Sequence, residues 1–224
     1  MTFKENNFWL EALTEEQIIT FTCEYLGDFL SLTFSTDPYT KKQLVDIVYE
    51  DVNENPVHEY FDAYGFNKNR NFSDYEKYAL IMWRKYIAYS NKGKTFNNKT
   101  YEQSIESIRM QVEMNNFWLS NLNEKAIADY ANRHHYEFFW SCLRTDFRTD
   151  KNFIEIMCEN QWGYPDESYR DAYGYPVINT INDSIKDWFY VMRTANEGKT
   201  FNGITYTQAF KQHHGLSVEE SLNF

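Results

Sequence analysis

The pentapeptide Asn6-Asn7-Phe8-Trp9-Leu10 returns 109 residues later as Asn115-Asn116-Phe117-Trp118-Leu119. At the same shift Leu13 falls on Leu122, Ile18 on Ile127, Phe29 on Phe138, Thr36-Asp37 on Thr145-Asp146, and Asp62-Ala63-Tyr64-Gly65 on Asp171-Ala172-Tyr173-Gly174. Farther along, a shift of 105 superposes Trp83 on Trp188 and Gly93-Lys94-Thr95-Phe96-Asn97 on Gly198-Lys199-Thr200-Phe201-Asn202, then Thr100-Tyr101 and Gln103 on Thr205-Tyr206 and Gln208. Three blocks in one order do not arise by chance. They predict a tandem duplication, with residues 1–110 as the first copy and 111–224 as the second, each of ordinary domain size.

Within a copy the spacing reads as mainly α: two tandem homologous helical modules, each with one short β-hairpin. Thr14 and Gln17 fit a capping box ahead of Ile18, Phe21, Thr22 and Tyr25, an amphipathic spacing, and Asn123 starts the counterpart helix. Residues 41–52 read as a second helix with Leu44, Val45, Ile47, Val48 and Val52 on one side. A third short helix is expected to end at Gly65 as its C′ residue, and a longer one to span residues 73–89. Asn202-Gly203 between two short extended arms predicts a type I′ hairpin, with Asn97-Asn98 in its place in the first copy. Thr100 with Gln103, and Thr205 with Gln208, then cap helices.

The chain carries 22 Lys/Arg against 33 Asp/Glu, a formal charge of −11. Residues 1–110 hold 12 against 17 and residues 111–224 hold 10 against 16, so the acidity belongs to both halves. Such a chain is repelled by phosphate backbones and anionic bilayers, which disfavours direct nucleic-acid or membrane binding and suits a basic protein surface. Aromatic residues, 18 Tyr, 18 Phe and 6 Trp, exceed what two cores of this size enclose, so part of this surface is expected to face solvent or a partner. Cys23, Cys142 and Cys158 form no metal spacing and read as buried free thiols of a cytoplasmic protein, and no stretch is long and apolar enough to span a bilayer.

Chemical motifs are sparse, and no catalytic, cofactor or metal site is expected. Gly93-Lys94-Thr95 and Gly198-Lys199-Thr200 resemble the end of a phosphate loop, but Ala88 and Arg193 stand where its first glycine is needed. The His134-His135 and His213-His214 pairs project about 100° apart on a helix and cannot chelate one metal as an i, i+4 pair can. His58 and Glu59 form an isolated acid/base couple. Residues 206–220 have the outline of two short helices about Gly215, with Glu219 and Glu220 where a DNA reader needs cations; they read as a C-terminal docking helix.

The candidate partner-binding residues are Asp46, Glu50 and Glu54, with Glu155 and Glu159 as counterparts of the first two. On a helix these would be mutually repelling carboxylates four apart, imitating nucleic-acid charge beside exposed aromatics. In acidity and aromatic content the chain is similar to phage-borne and plasmid-borne inhibitors of restriction and CRISPR systems, DNA mimics among them, without sharing a motif. The expectation is a non-enzymatic acidic protein that inhibits a nucleic-acid-binding enzyme of a defence system by occupying its nucleic-acid groove. The alternatives are an enzyme with its site in the cleft between the copies, and an immunity-type or structural interaction protein.

Overall fold

The computed structural model describes residues 1–38, 40–65, 74–135, 137–146, 149–174 and 183–216, with backbone alone for 74–76. It divides into two compact units, Met1–Arg109 and Met110–Phe224. The first unit runs α1 (Phe3–Leu10), α2 (Glu15–Tyr25), β1 (Asp28–Thr36), β2 (Gln43–Glu50), β3 (Pro56–Phe61), α3 (Asp74–Ser90), and the start of α4 (Tyr101–Leu119). The second contains the end of α4, then α5 (Glu124–His134), β4 (Glu137–Asp146), β5 (Lys151–Glu159), β6 (Pro165–Arg170), α6 (Asp183–Ala195), β7 (Thr200–Phe201), β8 (Ile204–Thr205) and α7 (Tyr206–His214).

Strands β1-β2-β3 form one antiparallel sheet, β4-β5-β6 another, and β7-β8 a two-stranded ribbon. Among the described residues about 44% are helix and 29% strand. The expectation of a mainly α chain is therefore corrected: this is a mixed α/β protein, and tandem helical modules are not what it shows. The error lies at residues 41–52, where β2 runs instead of a helix. The apolar run Leu44, Val45, Ile47, Val48 satisfies a spacing of 3 and 4, yet it is rich in β-branched side chains, which lose less freedom on a pleated strand than on a helix. Val45, Ile47 and Tyr49 are buried and alternate with half-buried Leu44, Asp46, Val48 and Glu50. That is the period of two of a strand covered on one face.

No helix ends at Gly65 either. Strand β3 is followed by a turn in which the Asp62 amide donates to the Gly65 carbonyl at 2.7 Å and Asp62 Oδ1 accepts the Tyr64 and Gly65 amides at 2.7 and 2.9 Å. A Cβ on Gly65 would lie 2.3 Å from Leu80 Cδ1, so close packing and not a left-handed backbone calls for glycine there.

Local signals elsewhere do their expected work. Thr14 and Gln17, and Thr205 and Gln208, form reciprocal capping boxes, and Asn123 Oδ1 accepts the Ala126 amide at 2.9 Å. Asn202 and Gly203 take φ of 49° and 78° between β7 and β8. In the first unit Asn97 and Asn98 turn the chain likewise, joined by the Phe96–Lys99 bridge. The docking helix expected beyond Leu216 lies outside the described residues.

Each core fills the space between helices and one face of its sheet. Trp9, Ile18, Phe21, Trp83, Ile87 and Tyr101 meet Val45, Ile47 and Phe61 in the first unit. Trp118, Tyr130, Trp188, Met192 and Phe210 meet Ile154, Ile156 and Cys158 in the second. The Asn-Asn pairs lock this packing: buried Asn6 donates to the Gln43 carbonyl at 2.9 Å and accepts the Ala63 amide at 2.8 Å. Asn115 does the same with Asn152 and Ala172, at 2.8 and 2.9 Å. Trp83 and Trp188 donate to the Asp62 and Asp171 carbonyls, and Tyr101 and Tyr206 to the Ala63 and Ala172 carbonyls.

Candidate protein-binding faces

Because helices cover the Val45/Ile47/Tyr49 face of the first sheet, its other face carries Leu44, Asp46, Val48 and Glu50 from the central strand. Register sets Thr33 and Tyr60 on either side of Asp46, and Asp28 and Pro56 on either side of Glu50. His58 Nδ1 lies 3.6 Å from Asp46 Oδ1. Glu54 is in the β2–β3 turn at φ 58°, exposed, beside a Val52 that is 98% exposed.

Asp46 and Glu50 therefore lie on a strand and not on a helix face. Four residues along a strand span roughly 13 Å, longer than the screening length of roughly 8 Å at physiological salt, so the repulsion expected for a helical i, i+4 pair is largely absent. The His58–Glu59 couple separates as well. His58 points outward with Asp46, whereas Glu59 is 1% exposed on the core face opposite Ile47.

In the second sheet the corresponding face carries Trp140, Cys142 and Arg144 from β4, Phe153, Glu155, Met157 and Glu159 from β5, and Glu167 and Tyr169 from β6. Glu155 is not free: its Oε2 accepts Arg144 Nε at 2.6 Å and the Cys142 thiol at 3.4 Å. The Arg144 hydrogen bond holds the Glu155 carboxyl below its ordinary range, against the opposing effect of burial. Burial, then the bond to Glu155, pushes the Cys142 thiol up, which makes it a poor nucleophile at neutral pH. Tyr169 donates to Glu167 at 2.6 Å, and that bond together with burial pushes its phenol up to about 12. Glu159 ends β5 between Glu137 and Pro165, with no cation assigned to it by register.

Of the three cysteines only Cys158 is buried; Cys23 is exposed and Cys142 intermediate, which corrects the expectation of three buried thiols. Cys23 lies on α2, whose opposite side meets the core through Ile18, Phe21 and Thr22. The Gly-Lys-Thr segments are turns. Lys199 donates to Asn121 Oδ1 at 2.6 Å and to the Ala195 carbonyl at 3.2 Å. His134 shares Asp187 with Arg133, at 3.0 and 2.7 Å, bridging α5 and α6. His213 stacks on Tyr173 with ring centroids 4.3 Å apart, and His214 Nε2 is 2.9 Å from the Tyr173 carbonyl. Among the described residues no three His, Cys, Asp or Glu side chains converge as a metal requires.

A cavity of about 430 Å³ lies against the second sheet where β4, β5 and the end of β6 meet, lined by Asp146, Lys151, Phe153, Tyr169, Arg170 and Asp171 among others. Its cations are engaged: Lys151 pairs with buried Asp171, and Arg170 donates to the Tyr130 hydroxyl at 2.9 Å and the Tyr169 carbonyl at 2.9 Å.

The surplus of rings leads to the expectation of exposed aromatics but does not say which residues they are. Trp162 and Tyr164 are 71% and 67% exposed in the β5–β6 turn, and Phe139 and Trp140 are exposed at the bulge of β4. Turn residues carry no hydrophobic period, so the clue lay in composition alone, in the surplus of rings. No helix is long and apolar enough to cross a membrane among the described residues. No family model, no curated protein and no solved structure matches this chain.

Proposed function

We propose that this is a non-enzymatic, acidic protein-binding protein that occupies a basic surface of its target, such as the nucleic-acid groove of a defence enzyme of restriction or CRISPR type. The observation that supports the reading is the composition of the outer sheet faces. Carboxylates at Asp46, Glu50, Glu159 and Glu167 stand beside exposed or half-exposed rings at Tyr60, Trp140 and Tyr169, in a chain of net charge −11. Aromatic anchors with a charged rim are the composition of a protein interface, and charge complementarity speeds encounter with a basic partner.

The test is capture of partners by tagged full-length protein at low and at high salt, with the captured proteins identified by mass spectrometry. A DNA-cleavage assay of any captured nuclease follows, with and without the protein. Salt-sensitive capture of a nucleic-acid enzyme, inhibited in that assay and released by D46K/E50K/E159K, is the expected result. Capture and inhibition unchanged in that variant would remove the acidic faces from the reading.

A further inference from the structure

The β5–β6 connection, residues 160–164, is a preformed turn. Asn160 Oδ1 accepts the Trp162 and Tyr164 amides at 2.9 and 3.1 Å, and the Asn160 amide donates to the Tyr164 carbonyl at 2.9 Å. Gly163 takes φ 80°. The first unit builds the same turn between β2 and β3. Asp51 Oδ1 accepts the Asn53 and Asn55 amides at 2.8 and 3.1 Å, and Glu54 takes φ 58°. It does so with Val52, Asn53 and Asn55 and without a ring. The turn thus has no need of aromatic residues, and in the second unit two rings stay about 70% exposed, so folding gains little from burying them.

Charge gathers at the same place. The Glu159 carboxylate lies over the turn, its Oε1 3.2 Å from where a Cβ on Gly163 would stand, at the residue that separates Trp162 from Tyr164 in the sequence. Glu137 is the cross-strand neighbour of Glu159, and Asp166 and Glu167 follow Pro165 on the next strand. Residues 159–167 contain three carboxylates and no Lys or Arg. His135 Nδ1 approaches Asp166 Oδ2 at 3.7 Å, but burial holds its pKa below the ordinary value, so it adds little positive charge at neutral pH.

We propose that this turn is the anchor for an arginine-rich segment of the protein partner, with a guanidinium stacked on the exposed face of Trp162 or Tyr164 and hydrogen-bonded to Glu159. A guanidinium fits both halves of the site: its flat face stacks on aromatic rings while its N–H edge forks to a carboxylate, which a lysine ammonium cannot do together. The inference rests on the protein-binding reading above and names the partner chemistry and the residues that would read it.

The experiment is calorimetric titration of the full-length chain with an octa-arginine peptide, and with octa-lysine of equal charge as comparator. Octa-arginine is expected to bind more tightly than octa-lysine. W162A/Y164A is expected to weaken octa-arginine binding at least about fourfold and to erase the preference, and E159Q to weaken it with the rings in place. Neither ring belongs to a core, so the urea midpoint of W162A/Y164A stays that of the parent and loss of fold does not confound the result. Equal binding of the two peptides, no binding of either, or unchanged affinity in W162A/Y164A overturns the proposal. D46K/E50K separates the two readings. If it abolishes octa-arginine binding while W162A/Y164A does not, the acidic-face reading stands and the turn is not its anchor; if the turn binds arginine but no captured enzyme is inhibited, the turn stands and the inhibitor reading falls.

Discussion

Asn6 Oδ1 accepts the Ala63 amide at 2.8 Å across 57 residues of chain, joining the first helix to the turn that closes the first sheet. The same side chain donates to the Gln43 carbonyl at the start of β2. Replacing it with alanine removes the acceptor of the buried Ala63 amide and a donor to the partly buried Gln43 carbonyl. N6A is expected to lose about 2–4 kcal/mol of stability, N115A a similar amount, and N7A, at a half-buried position, clearly less. Urea denaturation of the three variants checks the order.

Two glycines serve packing, with unequal tolerance. A Cβ on Gly27 would lie 2.0 Å from the Glu50 carbonyl oxygen, which the β1–β2 ladder holds in place, whereas one on Gly65 meets the tip of Leu80, a side chain that can turn away. G27A is expected to cost about 3 kcal/mol or more and G65A about 1–2 kcal/mol. A double-mutant cycle should show the G65A penalty shrinking in the L80A background; a penalty unchanged there would locate the strain in the backbone.

Two carboxylates give stability an acid limb. Burial raises the Asp187 pKa, but the hydrogen bonds from Arg133 and His134 outweigh it, so the folded value lies below the ordinary 3.8; Glu155, under Arg144, lies below 4.5. Because the folded pKa values are depressed, the unfolded chain binds these protons first as pH falls. Their stabilisation is complete above the ordinary carboxylate values and declines as pH drops through the folded ones. Urea midpoints measured from pH 7 to pH 3 should therefore fall less steeply for D187N/E155Q than for the parent, although the variant begins lower at pH 7.

The Cys142 thiol reports on the same ion pair. Beyond burial, the Glu155 carboxylate raises its pKa and Arg144 lowers it. At pH 8, E155Q should speed iodoacetamide labelling of Cys142 and R144Q should slow it, as followed by peptide mass spectrometry. Exposed Cys23 serves as an internal standard and buried Cys158 as the unreactive reference. Equal rates in all three proteins would mean that the carboxylate does not face the sulfur.

Much of the local structure was legible. Thr14 with Gln17, Asn123, Thr205 with Gln208, and Asn202-Gly203 place their caps and their turn where expected, because each is an interaction within about four residues and carries its signal in adjacent letters. The Asn-Asn-Phe-Trp-Leu and Asp-Ala-Tyr-Gly blocks stood out as repeated words. Their meaning emerged only with the hydrogen bonds from Asn6 to Ala63 and from Asn115 to Ala172.

The strands were the illegible part, and the site with them. An apolar run such as Leu44-Val45-Asp46-Ile47-Val48 fits a helical stripe and a strand equally well on spacing. What decides is pairing with β1 and β3 and burial of Val45 and Ile47 under Trp83 and Phe21, contacts with segments up to about forty residues away that no local window contains. That choice also reassigned the acidic residues. Asp46 and Glu50 moved from a helix face to a sheet face, and Glu155 acquired Arg144 from a neighbouring strand. The sequence alone determined the caps, the turns and the sign of the charge, because these depend on nearby atoms or on a sum over residues. The tertiary structure decided which faces remain open and that Glu155 is paired with Arg144 across two strands, because these depend on which segments lie side by side.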